Sequence, residues 1–344
     1  MRLLPGRSFL VLVLAGLLLL PALRGAPAVA AESVRLVLDR PVDALAAPLV
    51  AATSQGMFRA ADLDVKIEAA QGTKAALDKI VSGDADLAVA DLNALVRLRD
   101  SEKSPAAKAV FVLFNRAPYA IVGRKSRGIG SLSELAGKTL GVADGDLAIH
   151  FWPALARING VPADKVKQEK IGPAVREPML VAGQVDAIAG SALLSAINLK
   201  DHGIPALDMA VLRFASFGVD AYGLAIIASP KLLAEKPEVI RSFVRAIVEA
   251  TRAAIADPAR AIEDVLGQMP NGARDLETKR WAAAVSDNIL TDEVRRDGLG
   301  GVDPARFDAS MRLMGESFRF SHKPLLSDVF DGRFLPAESE RTMN

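Results

Sequence analysis

Hydrophobic and polar positions switch between two periods along residues 35–92. The short apolar runs at 35–38 (RLVL), 65–68 (VKIE) and 87–90 (LAVA) read as strands, and the two segments between them carry helical spacing. Pro48 stands where a helix accepts proline, at its first position. Gly56 and Gly83 stand where a left-handed residue closes a helix. This β-α-β-α-β order predicts a parallel sheet covered by helices on both faces. Ligands of such sheets sit outside the carboxyl ends of the strands. The first candidate binding residues are therefore Arg40, Pro41 and Asp43 in one loop, and Asp91 and Leu92 in the other.

The pattern continues with two apolar strands in 110–122, broken by Asn115-Arg116-Ala117-Pro118, which suits a crossover between lobes. Ser131 and Glu134 have capping-box spacing at the head of a short helix. A strand at 139–143, the turn Asp144-Gly145-Asp146, a helix to Ile158, a helix at 173–181 and a strand at 186–189 follow. The helix-glycine-aspartate-strand junction at Gly83 and Asp86 recurs at Gly183 and Asp186, so the second half repeats the first. Both aspartates read as turn formers that hold local backbone. Residues 217–229 read as a second strand pair around Asp220-Ala221-Tyr222-Gly223, the return crossover. Helices are expected at 237–256, 259–268, 275–289 and, last, 304–318. Two crossovers divide the chain into a discontinuous lobe I (33–118 plus 222–344) and an inserted lobe II (119–221). Hinge closure is the motion this design permits.

Composition changes the picture at the amino end. Arg2 and Arg7, the apolar stretch 9–20 and the small residues Ala28-Val29-Ala30 make residues 1–31 a secretory signal peptide, cleaved near Ala30 or Ala31. The apolar stretch falls short of the roughly 20 residues a membrane-spanning helix needs. With no cysteine in the chain, disulfides, thiolate chemistry and a lipid anchor are all excluded. The expected location is the periplasm. The formal net charge of +1 becomes −2 once Arg2, Arg7 and Arg24 leave with the leader. That balance argues against nucleic acid as a partner, which would need a basic excess.

Aromatic residues are scarce, at 5%, so those near the predicted cleft carry weight. Tyr119 and Tyr222, the only tyrosines, both lie at crossovers, where a ring could stack on a flat ligand and its hydroxyl serve as a handle. Arg40 and Arg116 sit at strand ends and could pair with a carboxylate. Asn115 shares that crossover. Asp43, Asp91 and Asp220 could accept from ligand N–H groups, and Ser191 occupies the place in lobe II that Asp91 holds in lobe I. His150 and Phe151 follow the Asp144–Asp146 turn on a helix, with Trp152 read as core. The three histidines (His150, His202, His322) lie in segments far apart, and no metal-ligand spacing, phosphate loop or nucleophile elbow occurs. No catalysis, cofactor or metal is expected.

Taken in order, 51–66 (AATSQGMFRAADLDVK), 82–91 (SGDADLAVAD), 129–142 (IGSLSELAGKTLGV), 182–187 (AGQVDA), Tyr222 to Pro237, Asp257-Pro258, Gly298-Leu299-Gly300 with Asp303, and 329–336 (VFDGRFLP) resemble one family. It is the periplasmic substrate-binding proteins of ABC importers, in the SsuA/THI5-like branch that takes nitrate, sulfonates, taurine and thiamine pyrimidines. The resemblance implies an α/β, two-lobed periplasmic binding protein type II fold, each lobe a mostly parallel sheet flanked by helices, with a hinge between. It implies a monomer that captures a small organic solute and delivers it to an inner-membrane ABC permease with a cytoplasmic ATPase. Two alternatives share the scaffold: an enzyme of pyrimidine-synthase type, and a sensory protein that presents its ligand to a receptor. Pyrimidine binders of this kind carry a tryptophan and a histidine where this chain has Arg40 and Ala46, which argues against a thiamine precursor. The related synthases use a cysteine cluster, absent here. Nitrate and sulfonate binders would offer bare N–H groups at the helix following Asp144 and Asp146. An Asp146 N-cap would occupy those donors, which argues against a small anion.

Overall fold

A computed structural model describes residues 31–101, 105–143 and 145–343. The leader assigned to 1–31 falls outside that range apart from Ala31, as does Asp144. Ten strands form two five-stranded sheets. They are β1 (Glu32–Leu38), β2 (Leu63–Ala69), β3 (Leu87–Asp91), β4 (Lys108–Val112) and β5 (Tyr119–Arg124). The second five are β6 (Thr139–Ala143), β7 (Lys167–Ile171), β8 (Ala187–Ser191), β9 (Met209–Arg213) and β10 (Leu224–Ala228). The orders are β2-β1-β3-β10-β4 and β7-β6-β8-β5-β9. Each lobe thus has four strands running one way and a fifth, in fourth place, running against them.

The odd strand is what links the lobes. Strand β5 opens lobe II immediately after the first crossover, and β10 returns to lobe I immediately after the second. Central strands β3 and β10 are buried along their whole length and rich in alanine, which lets flanking helices approach both faces. On lobe I the helix Pro237–Ala256 packs on Ala47–Ser54, and Phe58 stacks on Phe243 with ring centroids 5.0 Å apart.

Sequence periodicity found the buried strands and missed two edges. β7 (KQEKI) buries only Ile171, so it carries no apolar signature. β9 likewise falls outside the strands expected from the sequence, and it precedes a single 3-10 turn, Phe214–Phe217. The expected strand pair at 217–229 is therefore one strand, β10. The carboxyl-terminal helix spans Pro304–Met314 and is followed by short turns at Leu326–Val329, Gly332–Phe334 and Glu338–Arg341. At the repeat junctions Gly83 and Gly183 are both left-handed, as expected, but the aspartates hold the neighbouring parallel strand and not the local backbone of their own turn. The carboxylate of Asp86 accepts from Arg35 N, and that of Asp186 from Thr139 N, at 2.9 and 2.8 Å.

Both crossovers are clamped by one side chain. The Arg306 guanidinium donates to Asn115 Oδ1 (2.8 Å), Asn115 O (2.6 Å), Asp220 Oδ1 (3.0 Å) and Glu293 Oε2 (3.0 Å), and lies 4.1 Å from the Tyr222 ring centroid. Tyr222 donates to Glu293 Oε1 and accepts from Asp303 N, both at 2.7 Å. A π-helical turn at Val285–Ile289 brings Asn288 against Arg116, where each residue's N–H groups meet the other's carbonyls. Arg306 and Glu293 are both largely buried, so removing the cation strands an acid in low dielectric. Arg306→Met is expected to lower the unfolding free energy by about 3 kcal/mol in urea titration. A loss under about 1 kcal/mol, the range of a solvated pair, would contradict the clamp.

Candidate functional site

Lobe I presents two strand ends. At the end of β1, Asp39 is buried and receives Arg40 Nε (2.7 Å), Arg40 Nη2 (3.0 Å) and Thr73 Oγ1 (2.9 Å). Arg40 is thereby held in a fork–fork pair with its own neighbour, 28% of its side chain remaining exposed. At the end of β3, Asp91 caps the helix Leu92–Arg99: its Oδ1 accepts from Asn93 N (2.8 Å) and Asn93 Nδ2 (2.9 Å). Its other oxygen accepts from the Tyr119 hydroxyl at 2.7 Å. Asn93 Nδ2 also reaches the Tyr119 hydroxyl and the Tyr222 carbonyl, at 3.0 and 2.7 Å.

Lobe II answers with matching positions. In register, Tyr119 faces Ser191 as Leu224 faces Asp91. Ser191 caps the helix Ala192–Asp201. Asp146 accepts from Ala148 N through Oδ1 (3.0 Å), while its Oδ2 lies 3.6 Å from Arg176 Nη1. Arg176 is held by Glu177, whose Oε1 takes Arg176 Nε at 3.1 Å and Ser195 Oγ at 2.8 Å. Gly190 makes room for this guanidinium: a Cβ there would stand 2.5 Å from Arg176 Nη1.

Between the lobes lies a cleft of about 250 Å³ lined by Arg40, Asp91, Tyr119, Asp146, Arg176 and Ser191, among others. Five of the residues expected from the sequence come together there. Asp144 falls outside the described residues, and the remaining nine lie elsewhere. Pro41 is exposed in the loop after β1, and Asp43 faces a smaller void beside Arg40, where Arg280 lies 3.6 Å away. Leu92 is buried and gives its N–H to Gly223 O. Asn115, Arg116, Asp220 and Tyr222 belong to the crossover clamp. Phe151 is fully buried against Tyr119, ring centroids 5.7 Å apart. His150 does not line the cleft, and its Nε2 lies 2.8 Å from Arg97 Nη1. Thr73 and Arg176 line the cleft and were missed. The signal was available, because the offset that maps Gly83 onto Gly183 also maps Gly72 onto Gly172, and these two helix starts follow β2 and β7. Among the described residues no group of three or more His, Asp or Glu side chains could hold a metal ion.

Burial sets the ionisation of the site. It raises the Asp91 carboxyl to about 6, against the stabilising bonds from Tyr119 and Asn93. It likewise pushes Asp146 up, with Arg176 opposing. Burial, then the Arg97 charge, lowers His150 to about 4. A carboxyl whose folded pKa exceeds its unfolded value of about 3.9 binds more protons when folded, so its contribution to stability falls as pH rises from about 4 to 6. Asp91→Asn should therefore gain roughly 2–3 kcal/mol relative to the native chain between pH 4 and 7, measured as paired urea titrations. A difference independent of pH would contradict this assignment.

The comparisons with known proteins agree with this architecture. Riboflavin-binding protein RibY of Chloroflexus aurantiacus is 26% identical over 237 residues, 67% of this chain and 66% of that protein. The chain thus covers just under two thirds of that relative. The 4-amino-5-hydroxymethyl-2-methylpyrimidine phosphate synthase THI13 of Saccharomyces cerevisiae is 24% identical, over 68% of this chain and 70% of its own. Among solved structures, the ligand-binding component of an ABC-type import system from Staphylococcus aureus superposes with a TM-score of 0.68 at 13% identity. It covers 90% of this chain and 99% of that one, a likeness of fold. The family model described as NMT1/THI5 like matches residues 44–261, more than half of the chain, and the protein belongs to that family.

Proposed function

We propose that this protein is an extracytoplasmic solute-binding protein of an ABC import system. It captures a small organic solute in the cleft between its lobes and delivers it to a permease in the inner membrane, driven by a cytoplasmic ATPase. The observation that carries the reading is the convergence of strand ends from both lobes on one cleft, with Arg40 and Asp91 on one side and Asp146, Arg176 and Ser191 on the other. A ligand touching both sides is favoured in the closed arrangement and links binding to hinge closure. The boundaries of the moving bodies would be 33–118 plus 222–344 for lobe I and 119–221 for lobe II. The leader at 1–31 would direct the chain to the periplasm, where it acts as a monomer.

The similarity to THI13 keeps an enzyme on the same scaffold as the second reading. Against it stand the lack of any cysteine and the separate duties of the histidines. His150 pairs with Arg97, and His202 Nδ1 lies 2.7 Å from the Asn198 carbonyl at a helix end. A ligand-presenting sensory role would use the same cleft, and comparing solute uptake with signalling in a deletion strain separates it from transport.

Thermal unfolding of the exported chain against sulfonates, nitrate, aromatic acids, pyrimidines, flavins and amino acids tests the proposal. A bound solute at about 100 times its dissociation constant should add roughly 2.7 kcal/mol of stability. We expect a saturable upward shift with one class and unaltered solute recovered afterwards. Recovery of a converted solute would favour the enzyme, and no shift across the panel would overturn capture of a solute of these classes.

A further inference from the structure

The helix Pro304–Met314 starts at the crossover clamp, where Arg306 donates to Asp220 O, and then lies against lobe II. It packs on the turn Ala148–Phe151, and Phe307, Met311 and Met314 are buried in one core with Phe151, Trp152 and Leu155. The chain that follows is pinned to lobe II at two residues. Glu316 accepts from Arg157 Nη2 at 2.6 Å and Arg157 Nε at 3.1 Å, and the Ser317 hydroxyl donates to the His150 carbonyl at 2.6 Å.

Only Phe318, Arg319 and Phe320 intervene before the chain is pinned again, this time to lobe I. The buried Asp100 carboxylate, at the end of the helix Leu92–Arg99, accepts from Ser321 N (2.8 Å), His322 N (2.8 Å) and Lys323 N (3.0 Å). Beyond it the turn Leu326–Val329 packs on that same helix, and Arg99 Nε donates to Asp328 O at 3.0 Å. Consecutive N–H groups on one carboxylate make a firm, oriented anchor, because hydrogen bonds to a charged group exceed neutral ones. From Ser317 to Ser321 the chain can reach no more than about 14 Å even when fully extended. The spacer is also gripped along its length. The Arg97 guanidinium of lobe I lies over the Phe318 ring, 5.1 Å from its centroid, with Nη1 2.8 Å from His150 Nε2 of lobe II. Arginine can only donate, so this His150 nitrogen accepts. The His150 ring in turn meets Phe318 edge to face, centroids 6.1 Å apart.

We infer that residues 315–323 form a third connection between the lobes, a short tether that limits how far they open. It extends the hinge motion of the solute-binding reading and does not depend on which solute is taken. A contact made only when the lobes are together shifts the equilibrium toward the closed arrangement. The anchoring residues Asp100, Arg157, Glu316 and Ser317 all lie outside the cleft lining, so the tether favours closure with or without solute. It thereby reduces the share of binding free energy that closing would otherwise consume.

The test is made without solute, on the chain from residue 32 onward. Because the chain has no cysteine, Lys74→Cys and Val175→Cys place one nitroxide on each lobe, beside the cleft residues Thr73 and Arg176. Electron–electron double resonance then reads the distance across the cleft. Two changes loosen the tether independently: Asp100→Ala frees its lobe I end, and a flexible Gly-Ser segment inserted between Arg319 and Phe320 lengthens its spacer. Each should move the distribution to longer distances and lower the closed-to-open ratio about tenfold, the scale of losing hydrogen bonds to a charged group. Combined, they should do no more than either alone, because a tether already slack cannot be released twice. An unchanged distribution after the insertion would overturn the inference even where Asp100→Ala fails to fold. So would fully additive effects, which would make Asp100 and the spacer separate local contributors. Either of these results leaves solute capture standing, since the thermal panel tests that by itself.

Discussion

The Tyr119 hydroxyl donates to Asp91 across 2.7 Å, and this bond joins the first strand of lobe II to the third strand of lobe I. Both groups are buried, so neither has water as an alternative partner, and the pair is worth more here than at the surface. Asp91 also caps its helix and holds Asn93, which reaches the second crossover at Tyr222 O. One carboxylate therefore ties together a strand end, a helix start and both connections between lobes. The cleft exists where it does because this floor is fixed.

Behind the floor the crossovers are organised by charge. Arg306 gathers Asn115, Asp220 and Glu293, and the π-helical turn at Val285–Ile289 places Asn288 against Arg116. Such a network is well suited to a hinge: its bonds set the resting geometry, and its backbone segments are short and irregular. A segment from the carboxyl-terminal region also bridges the lobes. Phe318 lies under Arg97 of lobe I at 5.1 Å, Ser317 bonds the His150 carbonyl of lobe II at 2.6 Å, and Glu316 pairs with Arg157.

Much of this was legible in the sequence, for identifiable reasons. Buried strands such as 87–90 and helices such as 237–256 carry strong apolar periodicity, and Gly83 and Gly183 mark turns that require a left-handed residue. Strand β7 escaped because it buries only Ile171 and leaves no apolar pattern, whereas β9 carries the short apolar run 209–212 without a flanking helix to mark it as a strand. Strand-end logic brought Arg40, Asp91, Tyr119, Asp146 and Ser191 to one cleft. It could not separate that cleft from the clamp, since Asn115, Arg116, Asp220 and Tyr222 also lie at strand ends. Which way those side chains turn is decided by Arg306 and Glu293, almost two hundred residues away from Asn115. Arg176 was hidden for a related reason: Asp146, and Gly190, whose missing side chain leaves room for the guanidinium, meet it only when the second lobe folds.

Reversible capture of an unmodified solute between the lobes is the central proposal. Equilibrium dialysis of the chain from residue 32 onward against a metabolite extract, followed by mass spectrometry of what the protein retains, tests this most directly. The account predicts one small organic solute retained per chain, chemically unchanged, and lost when Arg40 and Arg176 are both replaced by alanine in a chain that still folds. Equal retention by that double variant, or turnover of the retained molecule, would contradict it.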